Sequence, residues 1–186
     1  MSTFPPEIYG IIAEHVISRR DLVNLISIST SVHAEVERVL YRAIHFTKYS
    51  PASFDALLDR LSTVSRLALF VQSLHLLFIN RLPDSTQTKL AATLRATNNL
   101  RDLRTRIPGL ERDTLTRGCK FQLYRFEGLN HTTAFLEAFL PCQPLIQHLS
   151  IPLYGTTHPL PLGILPHLVT LECPANLAVA LDITHR

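Results

Sequence analysis

The chain has 186 residues, 46% of them hydrophobic and 18% charged, with a formal charge of +3. That length can hold one sizeable core, or a small module beside a larger one, and the composition is too apolar and too weakly charged for a disordered chain. Cys119, Cys142 and Cys173 lie far apart with no C-x-x-C spacing, which argues against a zinc site and a disulfide framework and leaves buried thiols in a reducing compartment as the expectation.

The start, MSTFPPEIYG, has no basic region and carries two prolines and a glutamate where a secretion signal would be apolar. No apolar run approaches the roughly 20 residues of a membrane-spanning helix. A cytoplasmic or nuclear protein without a membrane partner is expected.

Pro5 and Pro6 suit the opening of a helix, since proline lacks a donor that the first turn would leave unpaired, and Glu7 favours the positive end of the helix dipole. Ile8, Ile11, Ile12 and Val16 then recur at the spacing that stacks side chains on one face, with Arg19 and Arg20 closing the helix. Asp21 is expected to cap a second helix carrying Leu22, Leu25 and Ile26. Ser29-Thr30-Ser31 interrupts it, because short polar side chains compete for backbone hydrogen bonds. A third helix follows, with Val32, Val36, Val39 and Leu40 inward and Glu35, Glu37 and Arg38 outward.

The run Phe4-Pro5-Pro6-Glu7-Ile8, the pair Asp21-Leu22, Leu25, and Ile28-Ser29 followed by Val32 together resemble the F-box motif, over roughly residues 4 to 44. Phe4 replaces the usual opening leucine, and Val32 stands where the family often has an aromatic. Leu40-Tyr41-Arg42-Ala43-Ile44 is similar to the segment that trails the motif in many fungal members, where irregular leucine-rich repeats come next. The resemblance implies a three-helix module that docks on a Skp-type adaptor and, through it, on a cullin. It implies adaptor contacts at Phe4, Pro5, Ile8, Leu22, Leu25 and Val32; Ile11, Ile12, Val36 and Val39 are expected to form the module's own core, and Ile8 and Leu25 could belong to either set.

From Ser50-Pro51 the pattern changes, first to a helix carrying Phe54, Leu57, Leu58 and Leu61, then to a recurring strand, loop and helix. Strands are expected at 71–76, 100–105, 121–126, 145–151 and 168–173. Taking Leu74, Leu103, Leu123, Leu149 and Leu171 as equivalent gives steps of 29, 20, 26 and 22 residues, within the roughly 20–29 residues of leucine-rich repeats. Helices are expected at 86–100, capped by Asp84 or Ser85, and at 132–140, started by Asn130-His131-Thr132. Asn80 is the nearest candidate for the repeat's consensus asparagine. A compact α/β domain with a few parallel strands would give similar spacing. The expected class is mixed α/β: residues 1–46 an F-box-like helical module, 47–68 a linker helix, 69–186 a degenerate leucine-rich-repeat-like client-binding region. Leu177, Val179, Leu181 and Ile183 lack a polar capping repeat, so the array is expected to continue or to fold back there.

No phosphate-binding glycine loop, nucleophile elbow or H-E-x-x-H helix is present, and the nine histidines are scattered without ligand spacing. Cys119 could find a distant histidine in space, but nothing singles out a pair. No catalysis, cofactor or metal is expected of the chain itself. Arginines cluster between Arg95 and Arg125, interspersed with acids, so nucleic acid is not the expected partner. Arg101, Arg104 and Arg106, with Arg112 and Arg117, are candidates for an acidic or phosphorylated client, and the Pro-rich loop near His158 for a border of that site. The expected function is the client receptor of a Skp-cullin-F-box ubiquitin ligase, acting by proximity while partner subunits catalyse. The alternatives are a leucine-rich-repeat scaffold without a ligase, and a hydrolase with an unrecognised site.

Overall fold

The computed structural model describes residues 5–47, 50–110, 112–129, 133–152 and 165–173. Three helices open the chain: α1 (Pro6–His15), α2 (Arg19–Ile26) and α3 (Thr30–Arg42). Pro6 and Glu7 lie in the first turn of α1 as expected. Arg19 and Arg20 do not close α1; they begin α2, whose cap is Ser18, its hydroxyl accepting from the Asp21 amide at 3.4 Å. Asp21 instead lies in the first turn, where a carboxylate favours the dipole. Ser29 caps α3 by accepting from Val32 N at 3.3 Å.

Both α1 and α2 pack on α3, around a small core of Ala13, Leu22, Val32 and Val36. The inward stripe of α1 is Tyr9, Ala13 and Val16, spaced i, i+4, i+7. Ile11 and Ile12, expected inside, are therefore 54% and 43% exposed.

Helix α3 runs without a loop into β1 (Ala43–Phe46), a strand the sequence pattern did not suggest. Then follow α4 (Pro51–Thr63), α5 (Ser65–Phe70), β2 (Ser73–Leu77), α6 (Asp84–Ala96), β3 (Asp102–Arg106), α7 (Arg112–Thr116), β4 (Arg125–Leu129), α8 (Thr133–Phe139) with a 3₁₀ turn at Leu140–Cys142, β5 (His148–Ser150) and β6 (Thr170–Glu172). The chain is thus mixed α/β, with a parallel sheet of six described strands in sequential order β1 to β6.

Ile44, Leu74, Leu103, Phe126, Leu149 and Leu171 stand in one register across that sheet. From Ile44 to Leu74 is 30 residues, to Leu103 a further 29, and then 23, 23 and 22 to Phe126, Leu149 and Leu171. The position expected at Leu123 belongs to Phe126, which makes the last three steps nearly even. A backbone pattern repeats at the same spacing. The carbonyl ahead of each of β2, β3, β4 and β5 accepts two amides from the next turn: Gln72 from Arg101 and Asp102, Arg101 from Tyr124 and Arg125, Tyr124 from Gln147 and His148, Gln147 from Val169 and Thr170, all at 2.8–3.0 Å. Paired donors at the strand entrance lock the register, because a one-residue slip would orphan a carbonyl and turn every inward side chain to water.

The inward strand residues bury themselves against one layer of helices in a large core that includes Phe54, Leu58, Leu61, Leu90, Leu94, Phe135, Leu136 and Phe139. Helix α4 contributes its buried face to this core. Phe46, Phe54 and Phe78 form one aromatic chain, at 5.2 and 5.0 Å between centroids, and Phe126, Phe139 and Phe135 a second, at 4.8 and 5.3 Å. Gln143 is buried where no apolar side chain would serve: its amide nitrogen donates to Phe121 O at 3.2 Å and its oxygen accepts from Leu123 N at 2.8 Å. Asn80, the expected consensus asparagine, is exposed. Helix α6 begins after Pro83 with no side-chain cap, so neither Asp84 nor Ser85 has that role.

Glu37, expected outward on α3, has a side chain only 4% exposed, because later helices bring it partners. Arg66 pairs with one carboxylate oxygen; Arg60 at 3.3 Å and His33 at 3.2 Å meet the other. Arg60 also lies over Tyr41, at 5.8 Å, and Arg66 over Phe70, at 5.9 Å. The small helical module and the main core are therefore joined by the continuous α3–β1 backbone and by this ion cluster. The residues Asn130 to Thr132, the Pro-rich segment around His158 and the apolar stretch from Leu177 to Ile183 lie outside the described residues, as does Phe4.

Candidate functional site

Two surfaces carry unspent chemistry. The first is the outside of the helical module. Once Tyr9, Ala13 and Val16 face α3, the other apolar stripe of α1 lies outside the module's core among the described residues: Ile8 is 38% exposed beside Ile11 and Ile12. Ile17 between α1 and α2, Val23 on α2 and Ile28 after it are exposed too. Of the expected adaptor contacts, Pro5 and Ile8 are exposed, Leu25 is half-buried, and Leu22 and Val32 are core residues. The expected division between core and contact is thus partly reversed: Ile11 and Ile12 face out, while Leu22 and Val32 face in. Periodicity alone could not separate the two stripes of α1, since both are apolar; the small Ala13 on one of them was the available sign of close packing.

The second surface is the sheet face away from the helices. Alternate strand residues point there, so register alignment builds rows across it. One row reads Ala43, Ser73, Asp102, Arg125, His148, Thr170, and the next, two residues on, His45, His75, Arg104, Glu127, Ser150, Glu172. His45 and His75 stack, with centroids 4.2 Å apart and planes within 2°. His75 Nε2 lies 3.3 Å from Asp102 Oδ2, and Arg104 sits between Asp102 at 3.6 Å and Glu127 at 3.5 Å. The Asp102–Arg104 pair is too long for a hydrogen bond, which leaves Asp102 Oδ1 and Arg104 Nε buried without one. His45 has its pKa lowered by burial and by the neighbouring His75, Arg19 and Arg104, against a smaller raising effect of Asp102.

Of the candidate arginines, Arg104 and Arg106 share this face, as alternate positions of β3 must. Arg101 precedes the strand and lies over the Tyr124 ring at 5.6 Å. Arg104 is already paired with two carboxylates, so the three do not converge on one site. Arg125, His148 and Glu172, which sequence reasoning did not single out, instead border an open depression of about 240 Å³ together with Arg104, Glu127, Ser150 and Thr170. The signal for them was the strand alternation, once β4 is placed at Arg125–Leu129.

Ser73, His75 and Asp102 are the nearest approach to a hydrolytic constellation. Ser73 Oγ lies 3.1 Å from His75 Nε2, the same nitrogen that faces Asp102. A nucleophile relay needs the acid on the opposite ring nitrogen, so the imidazole here is not set to take the serine proton. Burial pushes the Cys119 thiol up to about 11, with Arg95 opposing, which keeps it protonated and weakly nucleophilic near neutral pH. Cys142, expected buried, is exposed. Among the described residues no group of His, Cys, Asp or Glu side chains is placed to hold a metal ion, and no helix is long and apolar enough to cross a membrane.

No protein-family model matches the chain, and no curated protein matches it.

Proposed function

We propose that the chain is a client receptor of a Skp-cullin-F-box ubiquitin ligase, with α1 to α3 as an F-box-like module and the strand-helix units that follow as an irregular leucine-rich-repeat array. The observation that carries this reading is the isoleucine stripe of α1, exposed on a module whose fully buried core among the described residues is Ala13, Leu22, Val32 and Val36. A module this small gains little by leaving such side chains in water, and apolar residues on its rim match what a helical partner would cover. The docking residues are then Pro5, Ile8, Ile11, Ile12, Val23, Leu25 and Ile28, with Leu22 and Val32 supporting them from beneath. Catalysis belongs to partner subunits, and the receptor acts by raising the local concentration of its client.

The repeat reading is supported by the sequential parallel sheet and by the recurring carbonyl that accepts two amides. The sheet face opposite the helices is the client side, where strand-borne side chains are held on rigid backbone. Affinity capture from cells co-expressing a Skp-type adaptor tests the proposal. Wild-type chain should retain the adaptor, and Ile8→Asp with Ile11→Asp should lose it while keeping its circular dichroism, since both residues are exposed. Undiminished capture by that variant would place the contact elsewhere.

A second reading has its own support: α3 flows into β1, and Glu37 ties it to Arg60 and Arg66, as a helical cap on a scaffold would be. On that reading wild-type chain captures no adaptor.

A further inference from the structure

Over β4 to β6 the open sheet face carries two rows of unlike charge. The row of Arg125, His148 and Thr170 holds no carboxylate, and the row of Glu127, Ser150 and Glu172 holds no cation. The depression of about 240 Å³ lies over both and reaches Arg104 on β3, the cation that continues the second row. Glu127 is already met by Arg104 at 3.5 Å. Arg125 and Glu172 are exposed, and among the described residues neither has an ion-pair partner. They stand two strands and one row apart, on β4 and β6.

Successive rows on one face of a strand lie about 6.6 Å apart. Side chains i and i+2 of an extended peptide have the same separation, because they obey the same pleat. We propose that the depression seats an extended stretch of the client, running along the strands, with an acidic side chain against Arg125 and His148. Two residues away a basic side chain lies against Glu127 and Glu172, and the residue between them faces solvent. This rests on the client-receptor reading and names the client's chemistry: an acidic-x-basic segment, in either direction. An acidic-x-acidic segment would set a carboxylate on Glu127 and Glu172, and a basic-x-basic one would set a cation on Arg125. Like charges in contact select against both.

The test probes the purified 186-residue chain, at low ionic strength where such contacts are least screened, on immobilised short peptides with Asp-x-Lys, Lys-x-Asp, Asp-x-Asp, Lys-x-Lys or uncharged centres. Capture on the two mixed-charge peptides should exceed the other three by about tenfold and fall with added salt. Arg125→Glu combined with Glu172→Arg should remove that preference; both side chains are exposed, so the fold and adaptor capture should stay as in wild type. Equal capture on Asp-x-Asp and Asp-x-Lys, a preference that survives the double variant, or no capture on any peptide would overturn the proposal. If adaptor capture persists through such a result, only the client chemistry fails; if wild type captures no adaptor, the receptor reading fails first.

Discussion

Glu37 allows a prediction in which the direction of asymmetry is decided by burial. Its carboxylate is 4% exposed, whereas the side chains of Arg60, Arg66 and His33 are 56%, 54% and 45% exposed. Removing the carboxylate by Glu37→Gln lets two guanidinium groups return to water they largely already touch, and should cost about 1 kcal/mol. Removing both guanidiniums by Arg60→Met and Arg66→Met keeps the aliphatic stems but strands a buried carboxylate with only an imidazole, and should cost about 3 kcal/mol. The triple variant, with Gln at 37 as well, should recover to within about 0.5 kcal/mol of Glu37→Gln alone, since no charge is then stranded. Urea unfolding reads all three: with a slope of about 2 kcal/mol per molar, the midpoint should fall by about 1.5 M for the double variant and about 0.5 M for the other two. A Glu37→Gln loss as large as that of the arginine pair, or a triple variant no better than the double, would refute the assignment of the cost to the stranded carboxylate.

Gln143→Leu should lose about 3 kcal/mol in the same assay, because Leu123 N–H and Phe121 C=O would both be buried unpaired. Phe126→Ala should cost about 4 kcal/mol, from a ring fully buried against Phe139; a loss under about 1 kcal/mol would remove Phe126 from the repeat position. Ser29→Ala should cost about 1 kcal/mol through the lost α3 cap. By nuclear magnetic resonance His45 should titrate below the ordinary histidine value, and His75→Ala should move it upward. Since folding depresses this pKa, the unfolded chain takes the proton first as pH falls below about 6.5; His45 therefore lowers stability from there down to its folded pKa and has no effect above. An upward shift of His45 in wild type would contradict the stacked arrangement.

What could be read from the sequence follows the range of the forces involved. Leu74 and Leu103 announce β2 and β3 because alternation is local, and the i, i+3, i+4 runs announce α1, α3, α4 and α6. Strand β1 went unread because Ala43-Ile44-His45-Phe46 continues a helix with no breaker between them, and only its pairing with β2 makes it a strand. The shift of β4 from Leu123 to Phe126 has a similar cause: FQLYRF alternates well by itself, but the Arg101 carbonyl and Gln143 decide where pairing begins. Glu37 looked solvent-facing because its arginine partners lie 23 and 29 residues away. The charges over β4 to β6 became neighbours only when the register set Arg125 beside His148 and Glu127 beside Ser150.

The most direct test of the receptor reading is size-exclusion chromatography of the purified chain with a purified Skp-type adaptor, each at about 10 μM, a concentration at which micromolar affinity suffices for co-elution. The account predicts one shifted peak containing both, reduced to separate peaks by Ile8→Asp with Ile11→Asp. Separate elution of the wild-type proteins would contradict it and leave α1 to α3 as the cap of a scaffold.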